Sequence, residues 1–263
     1  MTSQPQREDL IDIARGAGEI LRQGYGKRHD LGSKSSDIDL VTEIDHQSEK
    51  YLLEALGHRY PDQRVVSEES DGLAGSGEGV FYIDPVDGTV NYAHGLPIFS
   101  VSLAYAVSDE VQLGVVYDPT RDEVFSAERG KGAWLNNVPL QVSTVQDLRN
   151  CLLATGFPYD RWTNPNNNID NYTKLMLRSQ GVQCLGSATI DLCYIGAGRL
   201  DGCWEPNLGP WDVAAGSLIA TEAGARVTTM DGGEDLLSPP FSVVAANPQV
   251  HAQMLDVLQS DSE

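Results

Sequence analysis

The chain has 263 residues, of which 38 are acidic and 18 are basic, so its formal net charge is −20. Hydrophobic residues make up 41% of the chain, which is typical of a globular protein and excludes a disordered one. The acidic excess argues against binding to nucleic acids or to anionic lipid, because both need clustered basic side chains. A small phosphate ester remains compatible with this charge if a cation neutralises the site locally.

The N-terminus and the cysteines predict a cytoplasmic protein. Residues 1–6 have no basic segment followed by an apolar stretch, so no secretory signal is expected. The longest mostly apolar stretch, residues 96–107, is shorter than the roughly 20 residues that cross a bilayer, so no membrane contact is expected. No two of the four cysteines form a C-x-x-C pair, which argues against a structural zinc site, so all four are expected to be buried thiols in a reducing cytosol.

Periodicity in the first half predicts helices followed by strands. Apolar residues repeat at helical spacing over residues 7–23 and 44–56, which predicts two helices. A flexible loop is expected over residues 71–79, and residues 118–121 form a turn between two strands. The predicted strands are 64–67, 80–83, 99–107, 111–117 and 123–127.

In the second half, predicted strands and helices alternate. The predicted strands are 151–155, 200–205, 225–229 and 241–246, and the predicted helices are 169–177, 188–197, 212–223 and 248–258. This rhythm predicts a layered α/β or α+β architecture. Because the chain has no internal repeat and no long linker, we expect one domain over residues 1–263. Its two halves, about 1–145 and about 146–263, would pack closely.

The segment from Ile83 to Thr89 carries the strongest chemical signal. Asp84 and Asp87 follow an apolar strand, and Pro85 restricts Asp84 to an extended conformation. A short helix predicted over residues 89–92 would point its first backbone N–H groups at an anion. Two carboxylates beside such N–H groups suit a magnesium ion and a phosphate together. The alternative is a turn that merely connects a strand to a helix.

Three other segments with acidic residues have both a functional and a structural interpretation. Glu68 and Glu69 follow another strand and could bind metal and position water, or could simply begin a solvated loop. Asp212 could face a metal or could be a helix N-cap. Lys34 and Asp45 could lie at the rim of the same acidic pocket, or could belong to a loop with a helix cap near Thr42 or Asp45.

Together these residues resemble the inositol monophosphatase family of magnesium-dependent, lithium-sensitive phosphatases. The likeness runs from Lys34 to Asn247, and its specificity comes from six motifs in family order. They are Asp39-Leu40-Val41-Thr42 with Asp45, Glu68-Glu69-Ser70, Asp84-Pro85-Val86-Asp87-Gly88-Thr89 with Asn91, Gly130-Lys131-Gly132-Ala133, Gly186-Ser187-Ala188, and Trp211-Asp212 before Thr221-Glu222-Ala223-Gly224-Ala225. The resemblance implies an alternating αβαβα sandwich of the sugar-phosphatase type and a homodimer.

The resemblance also implies a role for each site residue. The implied ligands of two or three Mg²⁺ ions are Glu68, Asp84, the Val86 carbonyl, Asp87 and Asp212. Glu68 and the pair Thr89–Asp45 would place and polarise the attacking water. The amides of Gly88 and Thr89 would bind phosphate, whereas Ala188, Glu205 and Asp212 would contact the substrate, the first two through its hydroxylated ring.

The implied activity is hydrolysis of a small polyol phosphate by metal-activated water, with inositol 1-phosphate as the first candidate. Histidinol phosphate, fructose 1,6-bisphosphate, NADP and a 3′-phosphonucleotide stay open as substrates. Two positions differ from the family pattern on the alcohol side of the expected pocket, Cys184-Leu185 and Pro206-Asn207-Leu208. A non-catalytic, metal-binding partner protein is a different class of function, and a purely structural use of the acidic residues is a third.

Overall fold

The computed structural model describes residues 4–27, 31–34 and 40–260. Within these ranges it contains seven α-helices and one short 3₁₀ helix at Leu148–Asn150. The α-helices are α1 (Arg7–Gly24), α2 (Glu43–Arg59), α3 (Thr89–Ala93), α4 (Ile169–Met176), α5 (Ala188–Gly196), α6 (Pro210–Glu222) and α7 (Pro248–Gln259).

The described strands form three sheets. A two-stranded sheet pairs β1 (Leu31–Ser33) with β2 (Leu40–Thr42). The seven-stranded sheet has its strands in chain order: β3 (Arg64–Ser67), β4 (Gly79–Asp87), β5 (Ser100–Val107), β6 (Glu110–Asp118), β7 (Glu123–Glu128), β8 (Gly132–Leu135) and β9 (Val138–Pro139). The five-stranded sheet has the spatial order β11 (Gly181–Gln183), β10 (Leu152–Thr155), β12 (Gly202–Pro206), β14 (Ser242–Ala246) and β13 (Arg226–Thr228).

These elements stack in five layers, as the αβαβα expectation requires. Helices α1 and α2 cover one face of the seven-stranded sheet, and α5 and α6 lie between that sheet and the five-stranded one. Helices α4 and α7 cover the outer face of the five-stranded sheet. Successive residues of β12 show why both of its faces are covered, since Cys203 packs toward α5 and α6 while Trp204 packs toward α4 and α7.

A row of small residues lets α6 approach the seven-stranded sheet closely. Ala104, Gly114, Ala127 and Ala133 are successive cross-strand partners on β5, β6, β7 and β8. A Cβ atom on Gly114 would lie 2.8 Å from the backbone oxygen of Ala215 in α6. Because α6 starts with the segment that carries Asp212, this close contact fixes the position of a predicted site residue.

The predicted helices and strands are present, with three differences of extent. Strands β1, β2, β8, β9 and β11, which have two to four residues each, were not predicted, whereas the equally short β3, β10 and β13 lie within predicted strands. Strand β4 continues through Pro85 to Asp87, with an irregular register against β5 between Asp84 and Asp87. Helix α6 begins at Pro210, so Asp212 is its third residue and Gly209 is the N-cap.

No helix in the described ranges is long and apolar enough to cross a membrane. The four cysteines are free thiols, three of them buried and Cys184 exposed. The expectation that all four cysteines are buried is therefore wrong for Cys184.

Candidate active site

Nine of the ten predicted site residues line one cavity of about 350 Å³. It lies where the end of β4, the start of α5, the end of β12 and the start of α6 meet. The nine residues are Glu68, Asp84, Val86, Asp87, Gly88, Thr89, Ala188, Glu205 and Asp212. The tenth, Asp45, does not line the cavity but contacts a residue that does. Asp39, from the first family motif, falls outside the described residues.

The irregular end of β4 brings Asp84 and Asp87 to the cavity. The Oδ1 atom of Asp84 accepts a hydrogen bond of 2.9 Å from the backbone N–H of Val86, which fixes the carboxylate over its own turn. The carbonyl of Pro85 is held from the other side by the Ser48 hydroxyl at 2.9 Å. Two carboxylates that would otherwise alternate between faces of a regular strand therefore line the same space.

Asp87 is anchored by residues from the other half of the chain. Its Oδ2 atom accepts hydrogen bonds from the Ser187 hydroxyl at 2.6 Å, the Thr189 N–H at 2.9 Å and the Thr189 hydroxyl. Burial raises the pKa of Asp87, although these hydrogen bonds act in the opposite direction. The motif Gly186-Ser187-Ala188 thus has a physical use here, because it positions a carboxylate that is distant in sequence.

Asp84, Asp87 and Asp212 form the acidic centre of the cavity. Each offers one carboxylate oxygen, and the three oxygens lie within 4.8 Å of one another. Asp212 is oriented by the N–H of Gly209, which donates to its Oδ2 atom at 2.6 Å. Burial, and then repulsion from Glu68 and Asp87, raises the pKa of both Asp84 and Asp212 well above the ordinary value.

This donor set fits a divalent cation. Three crowded carboxylates with little water around them repel one another, and a hard cation that prefers oxygen ligands would relieve that repulsion. Glu68 lines the same cavity and lies close enough to Asp84 to share a hydrogen bond with it. Asp84, Asp87 and Asp212, with Glu68 beside them, could hold the cation, and all four are among the ligands that the family resemblance implies.

Lys34 neutralises part of this acidic cluster. Its Nζ atom lies 2.8 Å from Oε1 of Glu68 and 2.5 Å from Oε1 of Glu69. Burial raises the pKa of Glu68 even though the Lys34 ammonium opposes the increase. Burial likewise raises the pKa of Glu69, to about 7. Lys34 is thus beside the acidic pocket, as predicted.

Thr89 and Asp45 form a buried hydrogen-bonded pair. The Thr89 hydroxyl lies 2.8 Å from Oδ1 of Asp45 and 3.0 Å from the carbonyl oxygen of Val86, and both atoms accept. Oδ2 of Asp45 accepts from the N–H of Thr42 at 3.0 Å, which completes a capping box at the start of α2. Asp45 is therefore a cap of α2, as one of its two sequence interpretations predicted, and it also contacts Thr89 on the cavity wall.

Two glycines line the cavity wall, and Gly88 is the one that the backbone requires. Gly88 has a φ of +94°, and a Cβ atom there would lie 2.9 Å from the carbonyl oxygen of Ile98. A Cβ atom on Gly156 would meet the Glu205 carboxylate, so the Glu205 side chain would have to move. Burial, followed by the charges of Asp191 and Asp87, raises the pKa of Glu205 well above its ordinary value.

Sequence analysis missed two charged residues near the site. Asp191 lies on α5, one turn after Ala188, and its Oδ1 atom is buried with no hydrogen-bond partner among the described residues. Arg161 lines the cavity from the loop after β10. The only sequence signal near Arg161 is the asparagine-rich run from Asn164 to Asn168, whose contacts are described below.

Comparisons with known proteins agree with this geometry. The model of the inositol monophosphatase family matches residues 4–262. Among curated relatives, Nus factor SuhB of Pasteurella multocida is 40% identical, with 97% of this chain and 96% of the relative covered. Inositol-1-monophosphatase of Synechocystis is 41% identical, with 95% and 88% covered.

Solved structures show the same fold. The extragenic suppressor protein SuhB of Bartonella henselae has a TM-score of 0.91 and 34% identity, covering 97% of this chain and 98% of that one. Inositol monophosphatase of Anabaena has a TM-score of 0.86 and 37% identity, covering 96% and 94%. The motifs, the five layers, the acidic centre and these similarities lead to one conclusion: the chain belongs to the inositol monophosphatase family.

Proposed function

We propose that this protein is a magnesium-dependent phosphomonoesterase that hydrolyses a small polyol phosphate, with inositol 1-phosphate as the first candidate substrate. The observation that carries the proposal is the convergence of Asp84, Asp87 and Asp212, whose carboxylate oxygens lie within 4.8 Å of one another in a cavity. The family match and the Synechocystis relative support the same activity.

In this proposal two or three Mg²⁺ ions are held by Glu68, Asp84, the Val86 carbonyl, Asp87 and Asp212. Bound Mg²⁺ supplies positive charge to the phosphate oxygens and lowers the pKa of a bound water. A dianionic phosphate would otherwise be repelled by the carboxylates that line the cavity.

Thr89, Asp45 and Glu68 place the attacking water. When the Thr89 hydroxyl donates its proton to Asp45, its oxygen lone pairs face away from Asp45 and can accept a hydrogen bond from water. Glu68 accepts a hydrogen bond from the other O–H of that water. No side chain needs to form a covalent bond to phosphorus, so oxygen from solvent is expected in the released phosphate.

The wall beyond the acidic centre holds the alcohol part of the substrate. Gly88 and Thr89 contribute backbone N–H groups to the phosphate, and Ala188 gives a small apolar contact. Glu205 accepts hydrogen bonds from substrate hydroxyls, and Asp212 lies near the leaving oxygen.

Replacing Asp87 tests the proposal. Asp87→Asn is expected to lower kcat by about 10²–10³-fold or more, because it removes a charge from the acidic centre while keeping the shape of the side chain. Phosphate release from inositol 1-phosphate is measured with Mg²⁺, after EDTA treatment and after Mg²⁺ is restored. Lithium is expected to inhibit.

Asp71→Asn is the matched control, because Asp71 is exposed and lies outside the cavity. Far-UV circular dichroism of both variants should equal that of the parent chain. Near-normal turnover by a folded Asp87→Asn variant would contradict the ligand role.

A second candidate function comes from the relatives named Nus factor SuhB, which are 38–40% identical to this chain. In this second proposal the acidic centre binds metal, and the chain binds a partner protein and catalyses no reaction. Calorimetry that detects Mg²⁺ binding, together with no phosphate release from inositol 1-phosphate, histidinol phosphate, fructose 1,6-bisphosphate or NADP, would favour it.

We also propose that the protein is a cytoplasmic homodimer. Large apolar side chains are exposed mainly between residues 159 and 177, where Trp162 is 70% and Leu177 is 78% exposed. Exposed apolar side chains of this size favour a protein contact, and five of the seven in the described residues lie in this stretch. Light scattering after size exclusion should give twice the chain mass, and Leu177→Asp should shift the population toward monomer.

A further inference from the structure

Arg161 differs from the other charged residues of the cavity. It is the only basic side chain among the described residues that line the cavity, which is otherwise acidic. The carboxylates on the same lining belong to Glu68, Asp84, Asp87, Glu205 and Asp212. A single guanidinium in such a setting would ordinarily be expected to pair with one of them.

The Arg161 guanidinium has no ion pair within the described ranges. Its Nη1 atom donates one long hydrogen bond of 3.4 Å to the carbonyl of Pro158, and the group lies 5.7 Å from the ring centre of Trp162. By contrast, Arg121 and Arg199 are paired with carboxylates at 2.7 Å and 2.6 Å. Most of the hydrogen-bond donors of Arg161 are thus available to a ligand.

The loop that carries Arg161 is held by buried asparagine contacts. Asn168 donates to the carbonyl of Gly156 at 2.7 Å, and its own oxygen accepts from the Trp204 indole at 2.9 Å. Asn167 donates to the carbonyl of Arg161 at 3.4 Å. These bonds hold the backbone of the loop beside β12, the strand that presents Glu205, so mainly the Arg161 side chain has to be ordered when a ligand binds.

The proposed function assigns four of the five cavity carboxylates to metal. Glu205 and Arg161 remain as the charged groups that face the alcohol part of the substrate. A carboxylate suits the hydroxyl donors of a polyol, but a guanidinium has only donors and pairs best with an oxyanion. Inositol 1-phosphate carries no anion beyond the phosphate that is cleaved.

We propose that Arg161 binds a second phosphate group of the substrate, so that the site prefers polyol bisphosphates over the corresponding monophosphates. This inference rests on the proposed phosphomonoesterase function and narrows its substrate class. Arg161 determines specificity and takes no part in placing water, so its loss should affect KM much more than kcat.

The test compares two substrates that differ by one phosphate, fructose 1,6-bisphosphate and fructose 1-phosphate, with inositol 1-phosphate as a third. The parent enzyme is expected to have a kcat/KM at least about tenfold higher for the bisphosphate, as a charge-assisted hydrogen bond would give. Arg161→Gln should raise the KM for the bisphosphate by about tenfold and change that of each monophosphate by less than about threefold.

Two further variants sharpen the test. Arg161→Lys keeps the charge without the planar fork and should retain part of the preference. Arg178→Gln is the matched control, because Arg178 is exposed and, among the described residues, its guanidinium bonds to the carbonyl of Lys174 alone. The preference of the parent enzyme should also fall as KCl is increased, since part of it is Coulombic.

The possible failures are distinguishable. If the parent enzyme cleaves inositol 1-phosphate but shows no preference for the bisphosphate, the inference about Arg161 is wrong and the proposed function stands. The same holds if Arg161→Gln changes the KM of all three substrates by the same factor, because Arg161 would then only offset the negative charge of the cavity. If no ester releases phosphate, the proposed function itself is wrong.

Discussion

At the scale of single residues, the site depends on hydrogen bonds that hold oxygen atoms in place. Thr89 is the clearest case, because one hydroxyl lies within bonding distance of two buried acceptors, Asp45 and the Val86 carbonyl. Since both acceptors compete for one proton, the Thr89 oxygen always has lone pairs left to accept a hydrogen bond. This property is what a residue that orients water needs.

Removing the Thr89 hydroxyl should therefore lower activity without disturbing the fold. Thr89→Val has nearly the same shape, and we expect kcat to fall by about 10²–10⁴-fold while far-UV circular dichroism is unchanged. Thr89→Ser keeps the hydroxyl and should keep most of the activity. Thr173→Val, on the exposed surface of α4, is the control. Equal activity of the Val and Ser variants would show that the hydroxyl is not used.

Asp191 is a residue whose effect should appear in stability. Its Oδ1 atom has no partner in the described ranges, and burial together with the charge of Asp87 raises its pKa well above the ordinary value. The folded protein therefore keeps a proton on Asp191 at pH values where the unfolded chain has lost it. Stability from this group is present at low pH and falls as the pH rises.

Asp191→Asn should remove this pH dependence. Above a pH of about 4, the parent chain is expected to lose up to about 1.4 kcal/mol of unfolding free energy per pH unit through Asp191, and the variant should not. Urea denaturation at pH 5, 6 and 7 in the presence of EDTA measures the difference. The exposed Asp12→Asn is the control, and a difference that stays constant with pH would contradict the argument.

At the scale of elements, α6 connects the seven-stranded sheet to the cavity. The row Ala104, Gly114, Ala127 and Ala133 gives this helix a smooth surface, and Gly114 is the tightest point. The helix begins at Pro210 and presents Asp212 from its first turn. Any change that moves α6 away from the sheet would also move Asp212.

Gly114→Ala is accordingly expected to affect both stability and activity. Its Cβ atom would meet backbone atoms of Ala215, which cannot rotate away as a side chain could. We expect a loss of about 1–3 kcal/mol in the free energy of unfolding and a lower affinity for Mg²⁺. Calorimetry measures both the free energy of unfolding and the affinity for Mg²⁺. Gly130→Ala is the comparison variant: a Cβ atom there has no neighbour within 4 Å, although φ is +72°. Unchanged stability of Gly114→Ala would contradict the close packing.

The sequence was most informative where a pattern is long or local. Helices α1 and α2 and the long strands β5 and β6 show clear periodicity, whereas β9 has two residues and carries no pattern. The family motifs contain eight of the nine cavity residues and Asp45, whereas Glu205 lies outside the motifs and came from the wider resemblance to the family. Arg161 and Asp191 could not be predicted, because one is placed by asparagines in a loop and the other matters only through its burial.

At the scale of the whole molecule, the two halves share a hydrophobic core. One cluster joins Ala104 and Phe125 of the seven-stranded sheet to Cys193 of α5 and Leu218 of α6. The single-domain expectation stays a prediction, and this shared core supports it. The cavity lies where the halves meet, so residues from both are needed to build it.

We therefore expect a single cooperative unfolding transition. Far-UV circular dichroism and tryptophan fluorescence should give the same midpoint, because Trp134 reports on the first half and Trp204 on the second. A fragment of residues 1–145 expressed alone should not fold, since it would expose the apolar face of its sheet. Two separate transitions would contradict the expectation.

The three hydrogen bonds that Ser187 and Thr189 donate to Asp87 give this carboxylate a structural role beside its proposed role as a metal ligand. They join the end of β4 to the start of α5, so they help the halves to assemble whether or not any ester is cleaved. A descendant of this protein that had abandoned turnover would still be under pressure to retain Asp87. The presence of Asp87 is therefore expected both in an active phosphatase and in a relative that has lost the activity, and only an assay of phosphate release distinguishes the two.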